Sequence, residues 1–248
     1  MKTEEIILLV EYGGLGDHLF YSTLPRLLKE AGLAKRVYLS DKCSFRNPQI
    51  YELVWRNNPY FDGLSSNEST ALIKFNSIID KISNKIISHH GIKNINYEIF
   101  PEIYLEKSQL KNYCGFNFID LNYVSFIGGF TYFDKIYLAI KYRNYCFINP
   151  DFLMRIFLKN YIFSKSLLDY ADMINSSDKF VCLASGGATL AAALKKRATV
   201  YYGHGQPHVF HHSSNHNIQI GGSGFVRSFI SRVYFKRNEF LLKYRKNK

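Results

Sequence analysis

Near its amino terminus the chain has a pattern that few folds accommodate: a strand, a glycine-rich turn, a helix and a second strand. The continuous apolar run 6–10 is typical of a strand that is buried on both faces. It leads into the turn Gly13-Gly14-Leu15-Gly16-Asp17, after which residues 19–31 carry apolar side chains at helical spacing. Gly32 ends this helix, and the next strand follows at 36–40. The pattern predicts a β-α-β unit.

The same pattern recurs near the other end of the chain. The apolar run 180–184 leads into the turn Ser185-Gly186-Gly187, and an alanine-rich helix at 188–194 and a strand at 199–202 follow. Parallel strands of this kind need helices on both faces of their sheet. Two such units, far apart in the sequence, predict an α/β protein with two facing Rossmann-like halves. With 248 residues, the arrangement has to be compact.

The sequence between the two units is less regular. Aromatic and β-branched runs at 123–127 and 145–148 predict strands, and the apolar spacing at 72–87 predicts a helix. We divide the chain into an amino-terminal acceptor-side half, a carboxyl-terminal donor-binding half and a tail, at 1–105, 106–222 and 223–248.

The tail holds more than half of the excess positive charge. Between residues 225 and 248 there are eight basic residues and one acid, Glu239, so 8 − 1 = +7 of the formal +12 lies there. Apolar residues recur among them at near-helical spacing, which predicts a basic amphipathic helix. Such a helix suits either an anionic membrane surface or a closing position packed across the two halves. The rest of the chain has no nucleic-acid-binding signature, so we expect no nucleic-acid partner.

The sequence also bears on location. The first apolar run is shorter than a signal-peptide core, and no window reaches about 18 uninterrupted apolar residues. The four cysteines are scattered without a Cys-x-x-Cys pair, which argues against a zinc knuckle and a disulfide framework. We therefore expect a cytoplasmic protein, peripheral at the inner face of the cytoplasmic membrane if the tail binds lipid.

The second glycine turn is the better candidate for a phosphate site. Gly186 and Gly187 let backbone N–H groups approach an anion, and the following helix directs the positive end of its dipole to the same place. Ser185 and Thr189 can add hydroxyl donors. The turn predicts a site for the diphosphate of a donor. The alternative is an ordinary tight turn whose glycines serve only helix–sheet packing.

The first glycine turn is a poor phosphate site, because Asp17 places a negative charge at the start of the helix. This carboxylate can cap the helix, or it can lie in the cleft as a general base near an acceptor hydroxyl. In the second interpretation Gly14, Gly16 and His18 form the acceptor-side turn around it.

Five of the eight histidines follow the strand at 199–202, namely His204, His208, His211, His212 and His216. Zinc is a minor alternative, because glycines and a proline prevent a regular helix and no Asp, Glu or Cys lies among them. Loops beyond the carboxyl end of a parallel strand often contact ligands, so we expect His204 or His208 to contact a nucleotide. Plain loop histidines are the alternative. We expect no bound metal and no cofactor.

With these residues in view, the chain resembles the GT-B glycosyltransferases of family nine, the heptosyltransferase-like enzymes of bacterial surface-polysaccharide assembly. The segment 13–32, GGLGDHLFYSTLPRLLKEAG, resembles the family's opening Gly-x-Gly-Asp turn and a helix with a leucine–proline step. The segment 167–204 resembles its helix, strand, Ser-Gly turn, alanine-rich helix and strand ending in glycine.

The resemblance implies a metal-independent, inverting transfer of a sugar from a nucleotide-diphosphate donor. The acceptor it implies is a glycan or lipid-linked glycan of a lipopolysaccharide, lipooligosaccharide or capsule. By motif position, Asp17 corresponds to the catalytic base, and Ser185, Gly186 and Gly187 correspond to the diphosphate-binding turn. The basic residue that family members place against the donor phosphate has no motif here, and its candidates are Lys135, Lys141 and Arg143.

The chain also departs from the family pattern. Ala184 stands where an acid usually precedes the Ser-Gly pair, Thr189 stands where a histidine is usual, and the chain is shorter than typical members. Two alternatives stay open. One is a fucosyltransferase-like enzyme, which shares the Gly-Gly-Leu-Gly opening but usually has Asn in place of Asp17. The other is a catalytically inactive protein that binds a sugar nucleotide or acts as an assembly partner.

Overall fold

A computed structural model describes residues 3–30, 32–66, 71–74, 100–106 and 112–221 of the chain. The tail predicted at 223–248 lies outside these residues. Across the described part of the chain, no helix is both long and apolar enough to cross a bilayer.

The amino-terminal half contains a parallel sheet in the spatial order β3-β2-β1-β4. Its strands are β1 (Thr3–Leu9), β2 (Ala34–Ser40), β3 (Leu64–Ser65) and β4 (Ala71–Lys74). Its helices are α1 (Leu15–Tyr21), α2 (Leu24–Glu30) and α3 (Gln49–Val54). The predicted helix at 72–87 is wrong at its start, where β4 lies, and the remainder of it lies outside the described residues.

The single helix predicted at 19–31 is in fact two helices, α1 and α2. Pro25 explains the break, because it has no backbone N–H to donate to the carbonyl of Tyr21, so an unbroken helix cannot pass through it. At the end of α1 the hydroxyl of Ser22 donates to the carbonyl of Leu19 at 2.7 Å. The first helix therefore ends on a local hydrogen bond, and Pro25 lies within the first turn of the second.

The carboxyl-terminal half contains a larger parallel sheet in the order β10-β9-β8-β5-β6-β7. Its strands are β5 (Asn117–Asp120), β6 (Cys146–Ile148), β7 (Tyr161–Ile162), β8 (Lys179–Leu183), β9 (Ala198–Gly203) and β10 (His216–Ile220). Its helices are α4 (Tyr132–Lys141), α5 (Phe152–Phe157), α6 (Leu167–Ser176) and α7 (Gly186–Ala193). The strand predicted at 145–148 is confirmed as β6.

Both sheets have the strand order of a Rossmann-like unit, in which the order reverses next to the first strand. The reversal falls between β1 and β4 in one sheet and between β5 and β8 in the other. Ligands of such sheets bind beyond the carboxyl ends of the strands at this reversal. The two sheets lie within the predicted ranges 1–105 and 106–222, while the exact boundary between the halves stays a prediction.

The strand predicted at 123–127 is wrong, because this segment is an irregular loop. Gly203 at the end of β9 donates from its backbone N–H to the carbonyl of Ile127 at 2.6 Å, and Gly129 donates to the carbonyl of His204 at 2.7 Å. Since β8 lies between β5 and β9, the loop runs across the carboxyl edge of the sheet rather than joining it. Its apolar side chains form a wall above the strands.

The main hydrophobic core takes buried residues from both halves, among them Leu8, Leu19, Phe180 and Leu190. Aromatic side chains continue it across the boundary. The ring of Phe20 in α1 lies 5.9 Å from Phe210 and 5.2 Å from His212 of the other half. The two sheets are thus joined by one continuous core.

Candidate active site

A cavity of about 410 Å³ lies between the two halves and is lined by both glycine turns. The amino-terminal half contributes residues 14–17, Phe20 and Arg46. The carboxyl-terminal half contributes Asp120, the loop 122–126, Ser185-Gly186-Gly187 and neighbouring side chains. The sequence-predicted residues Gly14, Gly16, Asp17, Ser185, Gly186, Gly187 and Thr189 are therefore all brought to one site.

The two turns meet backbone to backbone at this cavity. A methyl group at Gly16 would lie 3.4 Å from the Cα of Gly186, and one at Gly186 would lie 3.2 Å from the backbone nitrogen of Gly16. Helices α1 and α7 thus start side by side, and the tighter of the two contacts is at Gly186. As a result, the positive ends of two helix dipoles converge on the cavity.

Asp17 neutralises one of these helix ends and also lines the cavity. Its Oδ2 accepts a hydrogen bond of 3.0 Å from the backbone N–H of the N-cap residue Gly14, so Asp17 helps to cap α1 from the third position of the helix. Burial raises the pKa of Asp17 to about 6, against the lowering effects of the Gly14 hydrogen bond and of the nearby Arg46 charge. The two roles considered for Asp17, helix cap and cleft carboxylate, are compatible in this geometry.

The start of α7 is left open to an anion. Its first turn contains no acid, and Ser185 makes no side-chain capping bond. The first N–H groups of a helix have no acceptor within that helix. Thr189 lies one turn further on, and its hydroxyl makes a 3.4 Å contact to the carbonyl of Ser185. Helix α7 therefore offers the better position for a diphosphate, as its sequence suggests.

A buried polar network that the sequence did not reveal lies beneath this turn. Asp120, at the carboxyl end of β5, accepts a 2.5 Å hydrogen bond from the hydroxyl of Tyr170 and a 2.9 Å bond from the backbone N–H of Asn122. The Asn122 amide also donates to Asp120 and to the carbonyl of Asn149. Burial raises the pKa of Asp120 above its ordinary value, and the Tyr170 and Asn122 hydrogen bonds oppose this. The network fixes the wall of the cavity that the carboxyl-terminal half contributes.

Gly187 packs directly on this network, so we expect Gly187→Ala to destabilise the protein by about 1–3 kcal/mol through overpacking. A methyl group there would lie 2.3 Å from the Tyr170 hydroxyl, whereas its next neighbours would be 3.5 Å away. In a Tyr170→Phe background the same change should therefore cost much less, which a double-mutant cycle on unfolding free energy would measure. Gly16→Ala, with no contact closer than 3.4 Å, is the matched control. Equal costs of Gly187→Ala in both backgrounds would contradict this packing.

Arg46 is the cation that reaches the cavity, and sequence reasoning did not single it out. Among the described residues that line the cavity it is the sole Lys or Arg. It follows β2 in a loop anchored by a 2.8 Å hydrogen bond from its own backbone N–H to the carbonyl of Gly13. Its side chain is exposed on the same side as Asp17.

The three cations proposed from the sequence lie elsewhere. Lys135 is buried in an ion pair with Asp151, and Lys141 donates to the hydroxyl of Tyr201 at 2.8 Å. Arg143 is exposed beyond the end of α4. None of the three lines the cavity. Arg46, from the opposite half, is the cation at the cavity instead.

His18 belongs to the core and not to the cavity wall, which corrects its assignment to the acceptor-side turn. Its side chain is fully buried, with Nδ1 accepting from the indole N–H of Trp55 at 3.0 Å and Nε2 donating to the carbonyl of Ser44 at 2.8 Å. Its ring stacks on Phe45. Burial lowers the pKa of His18 to about 4, against the Ser44 hydrogen bond. Through these two hydrogen bonds the neutral ring ties α1 to Trp55 and Ser44.

The histidine loop reaches the cavity, but through other residues than the predicted ones. His204 and His208 are exposed and do not line it, whereas Gln206 and Phe210 of the same loop do. His208 contacts His211 at 3.2 Å between their Nδ1 atoms. Within the described residues, no three His, Cys, Asp or Glu side chains come together as a group that could hold a metal ion.

Solved structures with a similar fold include those of the following three proteins. A family 9 glycosyltransferase from Veillonella parvula shares 12% identity, with 89% of this chain and 87% of that one covered and a TM-score of 0.54. ADP-heptose LPS heptosyltransferase II of E. coli shares 11% identity, with 98% and 99% covered and a TM-score of 0.55. TibC, an iron-containing dodecameric heptosyltransferase of enterotoxigenic E. coli, solved with ADP-D-β-D-heptose, shares 10% identity at a TM-score of 0.53. There 90% of this chain matches 63% of TibC, so the chain spans less than two-thirds of that protein.

The sequence itself matches no protein-family model and no curated protein. At 10–12% identity, the structural likeness establishes the fold. It confirms the predicted compact, GT-B-like arrangement of two Rossmann-like halves.

Proposed function

We propose that this protein is a glycosyltransferase that moves a sugar from a nucleotide-diphosphate donor to a glycan acceptor, with inversion and without a metal. The observation that carries the proposal is the placement of two unlike helix ends on one cavity. The start of α7 is open to an anion, and the start of α1 is occupied by the Asp17 carboxylate. One position suits a diphosphate and the other suits a general base.

The donor diphosphate lies in this proposal against Ser185, Gly186 and Gly187. The backbone N–H groups at the start of α7 and the Arg46 guanidinium, from opposite walls, supply its positive surroundings. The same two groups stabilise the negative charge that develops on the diphosphate as the bond to the sugar breaks.

In this proposal, Asp17 is the general base for the acceptor hydroxyl. Its carboxylate takes the proton of the attacking hydroxyl while the acceptor oxygen bonds to C1 of the sugar. The C1–oxygen bond to the diphosphate breaks at the same time, and its electron pair leaves with the phosphate. Attack from the face opposite the leaving group inverts C1. A base with a pKa of about 6 is ionised at neutral pH and still accepts a proton readily.

The acceptor is proposed to be a lipid-linked or surface glycan of the lipopolysaccharide, lipooligosaccharide or capsule type, modified on the cytoplasmic side of the membrane. Support comes from the fold, which is shared with heptosyltransferases. The tail at 223–248, with its basic and apolar sequence, is proposed to add peripheral membrane contact.

Calorimetry with ADP-heptose and a panel of UDP- and GDP-sugars tests the donor class, and release of nucleoside diphosphate upon addition of extracted lipid-linked glycans tests transfer. We expect one nucleotide class to bind and its diphosphate to be released only when acceptor is present. Absence of binding by every member of the panel at millimolar concentration would reject the proposal.

A second function is favoured by one observation. The carboxyl of Asp120 lies near Gly187, where the diphosphate is proposed to bind, and no Lys or Arg of the donor half is among the described residues lining the cavity. A protein that binds a sugar nucleotide without transferring the sugar needs less stabilisation of a departing diphosphate, so it could keep a carboxyl at this position and lack such a cation. Such a protein would bind nucleotide with Asp17 intact and still release no diphosphate in the presence of acceptor.

A further inference from the structure

The α5 surface, which we define as the exposed face of residues 152–163, carries an unusual concentration of large apolar side chains. Phe157 is 71% exposed and Phe152 is 69% exposed, whereas Met154 in the same helix is 1% exposed. The other exposed members of the face are Leu153, Ile156, Tyr161 and Phe163. Soluble monomers seldom expose contiguous apolar patches, and those that do commonly use them for binding.

The charged side chains on this surface are all positive. Arg155, Lys159 and Lys165 lie within or next to it, and no acid occurs from 152 to 165. The Arg155 guanidinium lies over the rings of Phe152 and Phe163 at 5.3 and 5.6 Å, which keeps cation and aromatics together. The flanking acids have partners of their own. Asp151 pairs with Lys135, and Asp169 accepts from the hydroxyl of Tyr113 and from the backbone N–H of Lys165.

The mixture of exposed aromatics, aliphatics and cations without acids matches the interface of an anionic bilayer. Aromatic rings and aliphatic side chains enter the headgroup region, while Arg and Lys contact lipid phosphates. A second copy of the chain fits less well, because a twofold interface would pair a surface that has cations and no acids with itself. We propose that the α5 surface docks this protein on an anionic lipid bilayer.

The position of the surface agrees with the cavity. Phe163 is followed directly by Ser164, which lines the cavity and is held by two 2.8 Å hydrogen bonds to the Asn149 side chain. Val124 and Phe126, also exposed, line the cavity as well. Docking through α5 therefore holds the cavity near the lipid surface. This contact is separate from the one proposed for the tail.

Vesicle pelleting of the full chain tests the proposal, with phosphatidylcholine alone and with added phosphatidylglycerol, at low and high salt. We expect binding to the anionic vesicles, and a loss of at least about tenfold in Phe152→Ser/Phe157→Ser because two membrane-inserted rings are removed. Lys159→Glu/Lys165→Glu should weaken binding mainly at low salt, where charges are less screened. Leu153→Ser, at a 56% exposed position of the α5 surface, should also weaken binding, whereas its matched control Leu64→Ser, at a 52% exposed position of β3, should not.

Several outcomes would overturn the proposal. One is wild-type protein that pellets with no vesicle. Another is normal pelleting of Phe152→Ser/Phe157→Ser together with no pelleting of Lys243→Glu/Arg245→Glu/Lys246→Glu. That result would show that the tail alone contacts the membrane. A third is a fall in oligomer size of Phe152→Ser/Phe157→Ser without lipid, since the face would then join copies of the chain. Pelleting needs no sugar nucleotide, so its result is independent of the proposed transfer.

Discussion

Asp17→Asn should lower the transfer rate by about 10²–10⁴-fold, the usual contribution of a general base, while the protein stays folded. The change removes the proton acceptor but keeps an oxygen that can accept the 3.0 Å hydrogen bond from the Gly14 N–H. Donor binding, measured by calorimetry, should be little changed, because Asp17 lies at the start of the other helix.

The pH dependence of the wild-type rate gives an independent reading of the same group. The base works only when ionised, so the rate should fall as pH drops through about 6, the pKa to which burial raises Asp17. Because the folded-state pKa lies above the ordinary 3.8, the native protein binds the additional proton between those values. The stability contribution of Asp17 is therefore present below about 3.8 and is lost as pH rises through about 6.

It follows that Asp17→Asn should be at least as stable as wild type at pH 7, where wild type buries a charge and the variant does not. The shift of about two pKa units sets an upper limit of about 3 kcal/mol on this gain. Thermal unfolding at pH 5 and pH 7 checks the sign. If Asp17→Asn is folded, binds donor and turns over at the wild-type rate, then Asp17 is not the general base and serves only to cap α1.

Arg46→Ala should weaken binding of the sugar nucleotide by about 10- to 100-fold, which corresponds to the 1.5–3 kcal/mol of a hydrogen bond to a charged group. The side chain is exposed and its loop is held by a backbone hydrogen bond to Gly13, so folding should not suffer. Arg46→Lys should recover part of the affinity, because lysine keeps the charge but not the two-pronged geometry. Calorimetry with the donor, or with its nucleoside diphosphate, measures both.

A second readout separates a role at the site from a general effect of charge. Arg46 lowers the pKa of Asp17, so its removal should move the acidic limb of the rate profile to higher pH. Arg143→Ala, which removes an exposed arginine that does not line the cavity, is the matched control and should change neither quantity. Equal donor affinity in Arg46→Ala and wild type would show that Arg46 does not bind the donor phosphate.

The sequence predicts the parts of this structure whose signals are local. Both β-α-β units and the strand β6 follow from apolar periodicity and glycine turns, which need no distant partner. The loop 123–127 was misread as a strand because a cavity wall and a strand share the same aromatic and β-branched composition. Only the hydrogen bonds to the end of β9 distinguish them, and they join residues far apart in the chain.

The site residues likewise divide into those with a local sequence signal and those that depend on distant contacts. Asp17 and Ser185-Gly186-Gly187 lie in recognisable turns, so sequence found them. Arg46 reaches the cavity only because its loop folds back on Gly13, and Asp120 is the last residue of a strand of only four residues. Conversely, the polarity of His18 suggests a site residue, yet its partner Trp55 lies 37 positions away and makes it part of the core.

The continuous core that joins the two sheets has a consequence for folding. Leu19 and Leu190 belong to one buried cluster although they come from different halves, and α1 and α7 share the contact between Gly16 and Gly186. Neither half can lose its structure without exposing the apolar face of the other. We therefore expect the two Rossmann-like units to unfold together, and a fragment containing only one of them would expose the part that it contributes to this shared core.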